Sequence, residues 1–220
     1  MKKPYIYTFG HSTLNQESAI KILKDAGVMH LIDCRSHPQS RHVQWNLEVE
    51  QEWLPRAGIS VSWCSGLGGW SHEDKAAAEE MDKYGVNVRP YCGPLFPHAH
   101  IARDREGAVP GTWTNQGLYD FQFFMTQRRC LDALERVIIE AAAGEACALM
   151  CSELLWWRCH RSMIADLILW RRIHTEAVRR PLAWHLQPRL TEHGLKMQER
   201  LDRYHPAVTA AWKEYYGQFH

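Results

Sequence analysis

The chain has 220 residues, of which 45% are hydrophobic and 23% charged, and its formal net charge is only +1. This composition is typical of a folded globular protein and excludes disordered and fibrous classes, while the small net charge predicts no strong global attraction to nucleic acid or a membrane. The apolar runs are shorter than the roughly 20 residues of a membrane-spanning helix. The N-terminus lacks the apolar segment of a signal peptide, so we expect a cytoplasmic protein with no membrane partner.

The first third of the chain predicts an alternation of strands and helices. Short segments rich in β-branched and aromatic residues predict strands, Asn15 predicts a helix cap, and Gly27 predicts a helix stop. The predicted strands lie at residues 5–9, 29–32 and 59–63, and the predicted helices at 16–27 and 49–57. Such alternation is typical of a parallel sheet with right-handed crossovers.

The middle of the chain loses this regularity between residues 70 and 117, where Gly, Pro, His and Trp are frequent. A stretch of that length without periodicity predicts a functional lid or binding loop. Apolar residues at helical spacing then predict one long amphipathic helix over 119–143.

The remaining segments complete the expected fold. The apolar run 146–150 predicts a buried strand that places Cys151 at its carboxyl end, and a helix over 162–172 and a short strand over 183–186 follow. The sequence therefore predicts a Rossmann-like, three-layer α/β domain over residues 1–190, with a mainly parallel sheet and flanking helices. We expect residues 191–220 to form a helical extension that Pro206 interrupts, and its aromatic residues to pack on the domain or on a homodimer mate.

Polar and ionisable side chains follow four of the predicted strands. They are His11 and Ser12, then Asp33, Arg35 and Ser36, then Cys151, Glu153, Cys159, His160 and Arg161, and finally His185. Because the carboxyl ends of parallel strands meet at one edge of a sheet, these groups should converge there. A convergent set of titratable groups is the usual form of an active site.

Anion binding and nucleophilic catalysis both fit these residues. Arg35 and Arg161 would bind a phosphate together with the first amides of a helix, and Cys151 or Cys159 would act as a thiolate nucleophile. The candidates for proton transfer are Asp33, Glu153 and His160, and further substrate contacts are expected from His11, Ser12 and Ser36.

A metal site is the third chemistry that fits. Cys151, Cys159 and His160 are candidate ligands for zinc or iron, with His11 or His185 as a further ligand, although the spacing matches no compact zinc knuckle. The seven cysteines form no regular disulfide pattern. The other five are interpreted as structural thiols: Cys34, Cys64, Cys92, Cys130 and Cys147.

The loop between the two candidate cysteines is aromatic. We expect Trp156 or Trp157 to be exposed and available to stack on a base or another flat ligand. With the long loop at 70–117, this segment would cover the site and select the substrate.

Several motifs in register resemble those of a known family. They are Tyr7 to Thr13, Asp33-x-Arg35-Ser36-x-Pro38, Gln44-Trp45-Asn46, Leu67-Gly68-Gly69, and Cys151-x-Glu153 followed by Cys159-His160-Arg161. Over residues 5 to 187 the chain is similar to the family catalogued as domain of unknown function 488. The resemblance implies an α/β domain with these residues at its site, and it implies no reaction. The chain departs from the family in its aromatic loop 154–158, which is usually polar, and in its extension from Thr191.

The preferred hypothesis is an enzyme that acts on a phosphate-bearing substrate, either a nucleotide or nucleic acid. The alternative is a protein without turnover that binds zinc or iron, or nucleic acid, with Cys151, Cys159 and His160 as ligands.

Overall fold

The computed structural model describes residues 6–68, 116–143, 146–174, 183–186, 191–192 and 197–217. The described strands are β1 Ile6–Gly10, β2 His30–Asp33, β3 Ser60–Trp63, β4 Cys147–Cys151, β5 Ala183–Leu186 and β6 Thr191–Glu192. The described helices are α1 Gln16–Asp25, α2 Leu47–Arg56, α3 Gln116–Phe124, α4 Arg128–Ala142, α5 Arg161–His174, α6 Met197–Leu201 and α7 Pro206–Gly217. The predicted loop at 70–117 lies almost entirely, and Cys92 entirely, outside the described residues.

The six strands form one sheet in the order β3-β2-β4-β1-β5-β6. The first five are parallel, and β6 pairs with β5 in the antiparallel sense. The predicted α/β fold, with a mainly parallel sheet and flanking helices, is confirmed. Strand β4 lies in the middle, with Gly10 of β1 opposite Cys151 and Asp33 of β2 opposite Met150. The carboxyl ends of β1, β4 and β2 therefore lie side by side.

The first helix begins and ends as its sequence predicts. The side chain of Asn15 accepts a hydrogen bond from the Ser18 amide at 2.9 Å, which caps α1. Gly27 has a φ of +73°, a left-handed conformation that glycine adopts without strain, and it turns the chain toward β2. Helix α1 buries Ala19 and Leu23 in the core beside β1 and β2, so it holds the loop after β1 against the sheet.

The expected long helix over 119–143 is wrong, because two helices, α3 and α4, occupy this segment. The amides of Thr126 and Gln127 bond to the carbonyls three residues back, on Phe123 and Phe124. The Thr126 hydroxyl also donates to the Phe123 carbonyl at 2.7 Å. A threonine hydroxyl that bonds the backbone competes with the helical pattern, which explains the break.

The chain divides into two compact units. One comprises residues 1–68 and 132–195 and contains the sheet, and the other comprises residues 69–131 and 196–220. No helix in the described segments combines the length and the apolar character needed to cross a membrane.

The C-terminal segment is helical, as predicted, but it differs in two details. Residues Thr191–Glu192 form the short strand β6. Pro206 begins α7 instead of interrupting a helix, because the first turn of a helix needs no N–H from that residue. Trp212 of α7 is fully buried and donates to the Met125 carbonyl at 3.1 Å. This aromatic side chain therefore packs within its own unit.

Candidate functional site

The loops after β1 and β2 lie on either side of the end of β4. The His11 amide donates to the Cys151 carbonyl at 3.1 Å, and the Ser12 amide to the Ser152 carbonyl at 3.0 Å. On the other side, the Cys34 amide donates to the Met150 carbonyl at 2.9 Å. These bonds extend both ladders beyond the strands and bring most of the predicted site residues to one edge.

His185 is the exception among the predicted strand ends. It lies inside β5, opposite Thr8 of β1, so β1 separates its backbone from β4.

A sulfur-rich cluster forms at the end of β4. The Sγ atoms of Cys151 and Cys159 and a ring nitrogen of His160 all lie within 4.8 Å of one another. Cys34, interpreted from the sequence as structural, also belongs here, because its Sγ is 3.5 Å from Nε2 of His160. The signal that could have found it is its place directly after Asp33 at a strand end.

Cys159 is the residue of the cluster that ionises most easily. It lies two residues before the start of α5, and Nε of Arg161 donates to its Sγ at 3.2 Å. Burial would raise the pKa of Cys159, but a hydrogen bond from the Cys151 thiol and the charge of Arg161 outweigh burial and lower the pKa to about 6. At neutral pH this sulfur is therefore mainly a thiolate.

The neighbours of Cys159 remain protonated. The hydrogen bond that Cys151 donates to Cys159, together with burial, raises the pKa of Cys151 to about 12. Burial would lower the pKa of His160, but the negative charge of the sulfur-rich cluster and the hydrogen bonds to the sulfurs of Cys151 and Cys34 raise it to about 10. Nδ1 of His160 is 3.7 Å from the Cys159 sulfur, and Nε2 is 3.2 Å from the Cys34 carbonyl. Both contacts suit an imidazolium, which donates from both nitrogens.

Arg161 is a buried cation, with only 1% of its surface exposed. Besides the Cys159 sulfur, its guanidinium donates through Nη2 to the Glu153 carbonyl. A Cβ atom at Gly10 would lie 2.8 Å from Nη2 of Arg161 and 2.9 Å from Cα of Leu154. The glycine at the end of β1 therefore leaves the space in which Arg161 reaches the thiolate.

Arg35 is also buried, but its partners are oxygens. Its Nε and Nη2 bond to the two carboxylate oxygens of Asp33 at 2.8 and 2.6 Å, and Nη2 also bonds to Glu50 at 2.8 Å. Its Nη1 donates to the Trp45 carbonyl at 2.8 Å and lies 3.3 Å from Nε2 of His11. All five N–H groups are used, so Arg35 has none left for the anion that the sequence predicted it to bind.

The contact between Arg35 and Glu50 had no signal in the sequence. Glu50 lies in an amphipathic helix, where a glutamate is normally solvated, yet it is fully buried here. Asp33 is equally buried, and both of its oxygens are held by Arg35. These three residues form a buried ionic cluster that supports the loops after β1 and β2.

His11 is neutral in this arrangement. Its Nε2 faces Nη1 of Arg35, its Nδ1 donates to the Ser12 carbonyl at 3.0 Å, and its ring stacks on Trp45 at 4.6 Å between centroids. Burial and the charge of Arg35 lower the pKa of His11 to about 3. Both ring nitrogens are engaged, which does not suit the predicted role of a further metal ligand.

Two other predicted site residues hold loops in place. The Ser36 hydroxyl donates to the Gly68 carbonyl and ties the loop after β2 to the turn after β3. The carboxylate of Glu153 accepts from the Leu155 amide at 2.9 Å and is exposed. It therefore shapes the aromatic loop and is open to solvent.

The aromatic loop exposes one of its two tryptophans. Trp156 and Trp157 pack edge to face, with ring centroids 5.6 Å apart. Trp157 is 51% exposed. Its ring is accessible to a flat ligand.

A pocket of about 300 Å³ lies beside the cluster. It is lined by His11, Ser12, Thr13, Ser40, Arg41, His42 and Ser152. The Ser152 hydroxyl is 4.0 Å from the Cys151 sulfur, so this pocket adjoins the two cysteines. Arg41 and His42 were not among the residues predicted from the sequence, because they lie several residues beyond the end of β2, in a polar loop.

Comparison with known proteins supports the resemblance seen in the motifs. The family model described as "Domain of unknown function DUF488" matches residues 15–100 and 111–168, which include the cluster of Cys151, Cys159, His160 and Arg161. Searches of curated proteins and of solved structures found no match to this chain. The match covers more than half of the residues, and the chain therefore belongs to the DUF488 family.

Proposed function

We propose that this protein is an enzyme that uses the Cys159 thiolate as a nucleophile on a phosphate-bearing substrate. The observation that carries the proposal is the 3.2 Å contact between Nε of Arg161 and the Cys159 sulfur at the start of a helix. A guanidinium and a helix N-terminus both favour the thiolate, which is the reactive form of cysteine.

Charge balance favours an anionic substrate. The cluster contains one thiolate at neutral pH, and the two cations beside it are Arg161 and the protonated His160. A net positive charge in a buried site attracts an anion, since charges interact more strongly there than in water. A phosphate fits such a site, since arginine forms bidentate charge-assisted hydrogen bonds with it and hydroxyl groups can donate to its other oxygens.

The residues suggest a displacement reaction. The Cys159 sulfur would bond to the electrophilic atom of the substrate, and the leaving group would depart with the bonding electrons. His160 would donate a proton to that leaving group, since its nitrogens are protonated at neutral pH. Water would then release the bound group, and the proton from that water would return to His160.

The ionic cluster has a different role in this proposal. Asp33 and Arg35 are paired to each other, so they position the loops that line the site instead of transferring protons. Glu153 shapes the aromatic loop.

If the substrate is a nucleotide or a single-stranded nucleic acid, its base would stack on Trp157, a contact worth about 1–3 kcal/mol in single-strand binders. The chemistry needs reduced thiols, which favours a cytoplasmic location.

Alkylation with iodoacetamide tests the nucleophile. In metal-free protein at neutral pH, we expect mass-spectrometric mapping to find early labelling at Cys159, because a thiolate reacts and a thiol does not. The Arg161→Met variant should lose this preference, while the exposed Arg56→Met variant should keep it. Early labelling at Cys34 or Cys64, with Cys151 and Cys159 unreactive, would contradict the proposal.

A binding site for zinc or iron is the second candidate. It is favoured by the distance of at most 4.8 Å among the ligand atoms of Cys151, Cys159 and His160. Two thiolates and an imidazole form a donor set that suits zinc, with metal–ligand bonds of roughly 2.0–2.3 Å. Such a metal would hold the loop after β4 against the start of α5.

Elemental analysis separates the two candidates. One zinc or iron per chain that is lost in the Cys151→Ser variant would support the metal centre. Protein purified without metal that also fails to retain added zinc would leave the nucleophile as the better explanation.

A further inference from the structure

We propose that the pocket lined by Ser12, Thr13, Ser40, Arg41, His42 and Ser152 binds the phosphate group of a phosphomonoester, with Arg41 as the cation that recognises it. This inference rests on the proposed function, and it adds where the substrate is held and which chemical group is recognised.

The lining of the pocket is suited to an oxyanion. Four hydroxyl groups, the imidazole rings of His11 and His42, and the exposed guanidinium of Arg41 line it. No carboxylate is among its lining residues. Its volume of about 300 Å³ lies at the lower end of the range for small-molecule sites. A phosphate has several acceptor oxygens, so it can accept from hydroxyl groups and from a guanidinium at the same time.

Arg41 is the one arginine or lysine among the residues that line this pocket. Arg35 uses all its donors internally, and Arg161 is buried against the Cys159 sulfur. Arg41 is exposed, and the described part of the chain provides no ion pair or hydrogen bond to its guanidinium. A phosphate in the pocket would therefore find its charged donor in Arg41.

The loop that carries Arg41 is held in shape and still has unused donors. The Ser40 amide donates to the side chain of Asn46 at 2.7 Å, and the His42 amide donates to the Ser40 hydroxyl at 3.1 Å. Because that hydroxyl accepts this bond, its own proton remains free for a ligand. Nε2 of His42 is buried without a hydrogen-bond partner among the described residues, and a ligand oxygen would supply one.

The opposite wall of the pocket is equally defined. Ser12 has a φ of +44°, a left-handed conformation that costs a serine energy and that is often kept at binding sites. The hydrogen bond that the Ser12 amide donates to the Ser152 carbonyl joins this wall to the end of β4. Because the Ser152 hydroxyl is 4.0 Å from the Cys151 sulfur, a phosphate bound here would place the rest of the substrate beside the cysteine pair.

Calorimetric titration of the full chain with inorganic phosphate, at constant ionic strength, tests the site. We expect the Arg41→Ala variant to bind phosphate at least about tenfold more weakly than the wild type, because it loses a charge-assisted hydrogen bond. The Arg56→Ala variant, which removes an exposed arginine of α2 outside the pocket, should bind like the wild type. Acetate should bind more weakly than phosphate.

Equal phosphate affinity in the wild type and Arg41→Ala, or no phosphate binding by the wild type, would overturn this inference. Preferential binding of acetate would overturn it as well, since the site would then recognise a carboxylate. Phosphate binding and the reactivity of Cys159 can fail independently, because Arg41 does not contact Cys159. Alkylation of Cys159 can therefore be measured in the same Arg41→Ala protein. Phosphate binding with an unreactive Cys159 would uphold the pocket and remove the proposed reaction.

Discussion

Two buried arginines lie at the carboxyl edge of the same sheet, and their partners differ in kind. Arg35 lies between the carboxylates of Asp33 and Glu50, whereas Arg161 lies against the Cys159 sulfur. The Asp33 carboxyl group is ionised in water at neutral pH, so Arg35 offsets the cost of burying a charge that exists before folding. A thiol in water is mainly protonated, so Arg161 changes the chemical form of its partner. One arginine supports the fold, and the other favours the nucleophilic form of a cysteine.

Removal of the Arg35 side chain should have the largest effect on stability. The Arg35→Ala variant leaves the buried Asp33 carboxylate without its cation and Glu50 without its hydrogen-bond donor, and breaking such a buried pair costs about 3–5 kcal/mol. Denaturant unfolding would measure the loss. The exposed Arg41→Ala variant is the control, with an expected change within about 0.5 kcal/mol. A loss below about 1 kcal/mol in Arg35→Ala would show that this cluster does not support the fold.

The Gly10→Ala variant should affect stability less and reactivity more. The added methyl group would collide with the backbone at Leu154 and with Arg161, and overpacking of this kind costs about 1–3 kcal/mol. Because Arg161 would have to move from the Cys159 sulfur, the pKa of Cys159 should rise.

The control for that collision is Gly27→Ala. Gly27 has open space around its Cα, so the substitution there costs only the left-handed conformation, about 1–2 kcal/mol. Titration of the Cys159 thiolate in both variants would separate the displacement of Arg161 from a general loss of stability. A raised Cys159 pKa in Gly27→Ala, or an unchanged one in Gly10→Ala, would contradict the role assigned to Gly10.

Glu50 should make stability depend on pH. Burial raises the pKa of Glu50 from 4.5 to about 8, although the charge of Arg35 acts in the opposite direction. Because the folded protein holds this proton more tightly than the unfolded chain, the contribution of Glu50 is complete below pH 4.5 and is lost as the pH rises toward 8.

The Glu50→Gln variant isolates this contribution, since it keeps an oxygen for Arg35 and cannot titrate. Its stability should fall less steeply than that of the wild type between these two pKa values, by at most about 1.4 kcal/mol per pH unit. Denaturant unfolding between pH 4.5 and 8 would measure the difference in stability between the two proteins. Cys159 also titrates in this pH range, but its contribution is the same in both proteins. Parallel stability curves would show that Glu50 is ionised throughout.

The sequence predicted the elements and the edge where the site lies, because both depend on local patterns. The apolar run before Cys151 and the cap at Asn15 can be read without knowledge of the fold. The position of β4 between β1 and β2 could not be predicted, since successive strands are more often neighbours. The break at Thr126 depends on one side-chain bond that periodicity does not show.

The roles of the arginines were harder to predict than their positions. A motif with Asp33 and Arg35 indicates a charged site, but it does not reveal that Glu50, on a helix, completes the cluster. Cys34 resembled a structural thiol because apolar residues precede it in the strand. Distances across the fold, which a single sequence does not contain, decide whether a buried cation binds a ligand or a neighbour.

The titration of Cys159 in metal-free protein tests the central claim most directly. Ultraviolet absorbance detects thiolates even when they are buried, and the difference between the wild type and the Cys159→Ser variant reports this residue alone. We expect that difference to titrate with an apparent pKa of about 6 in otherwise unmodified protein. In an Arg161→Met background, the same difference should titrate closer to the ordinary thiol value of about 8.5. A difference that titrates near the ordinary value with Arg161 in place would contradict the account.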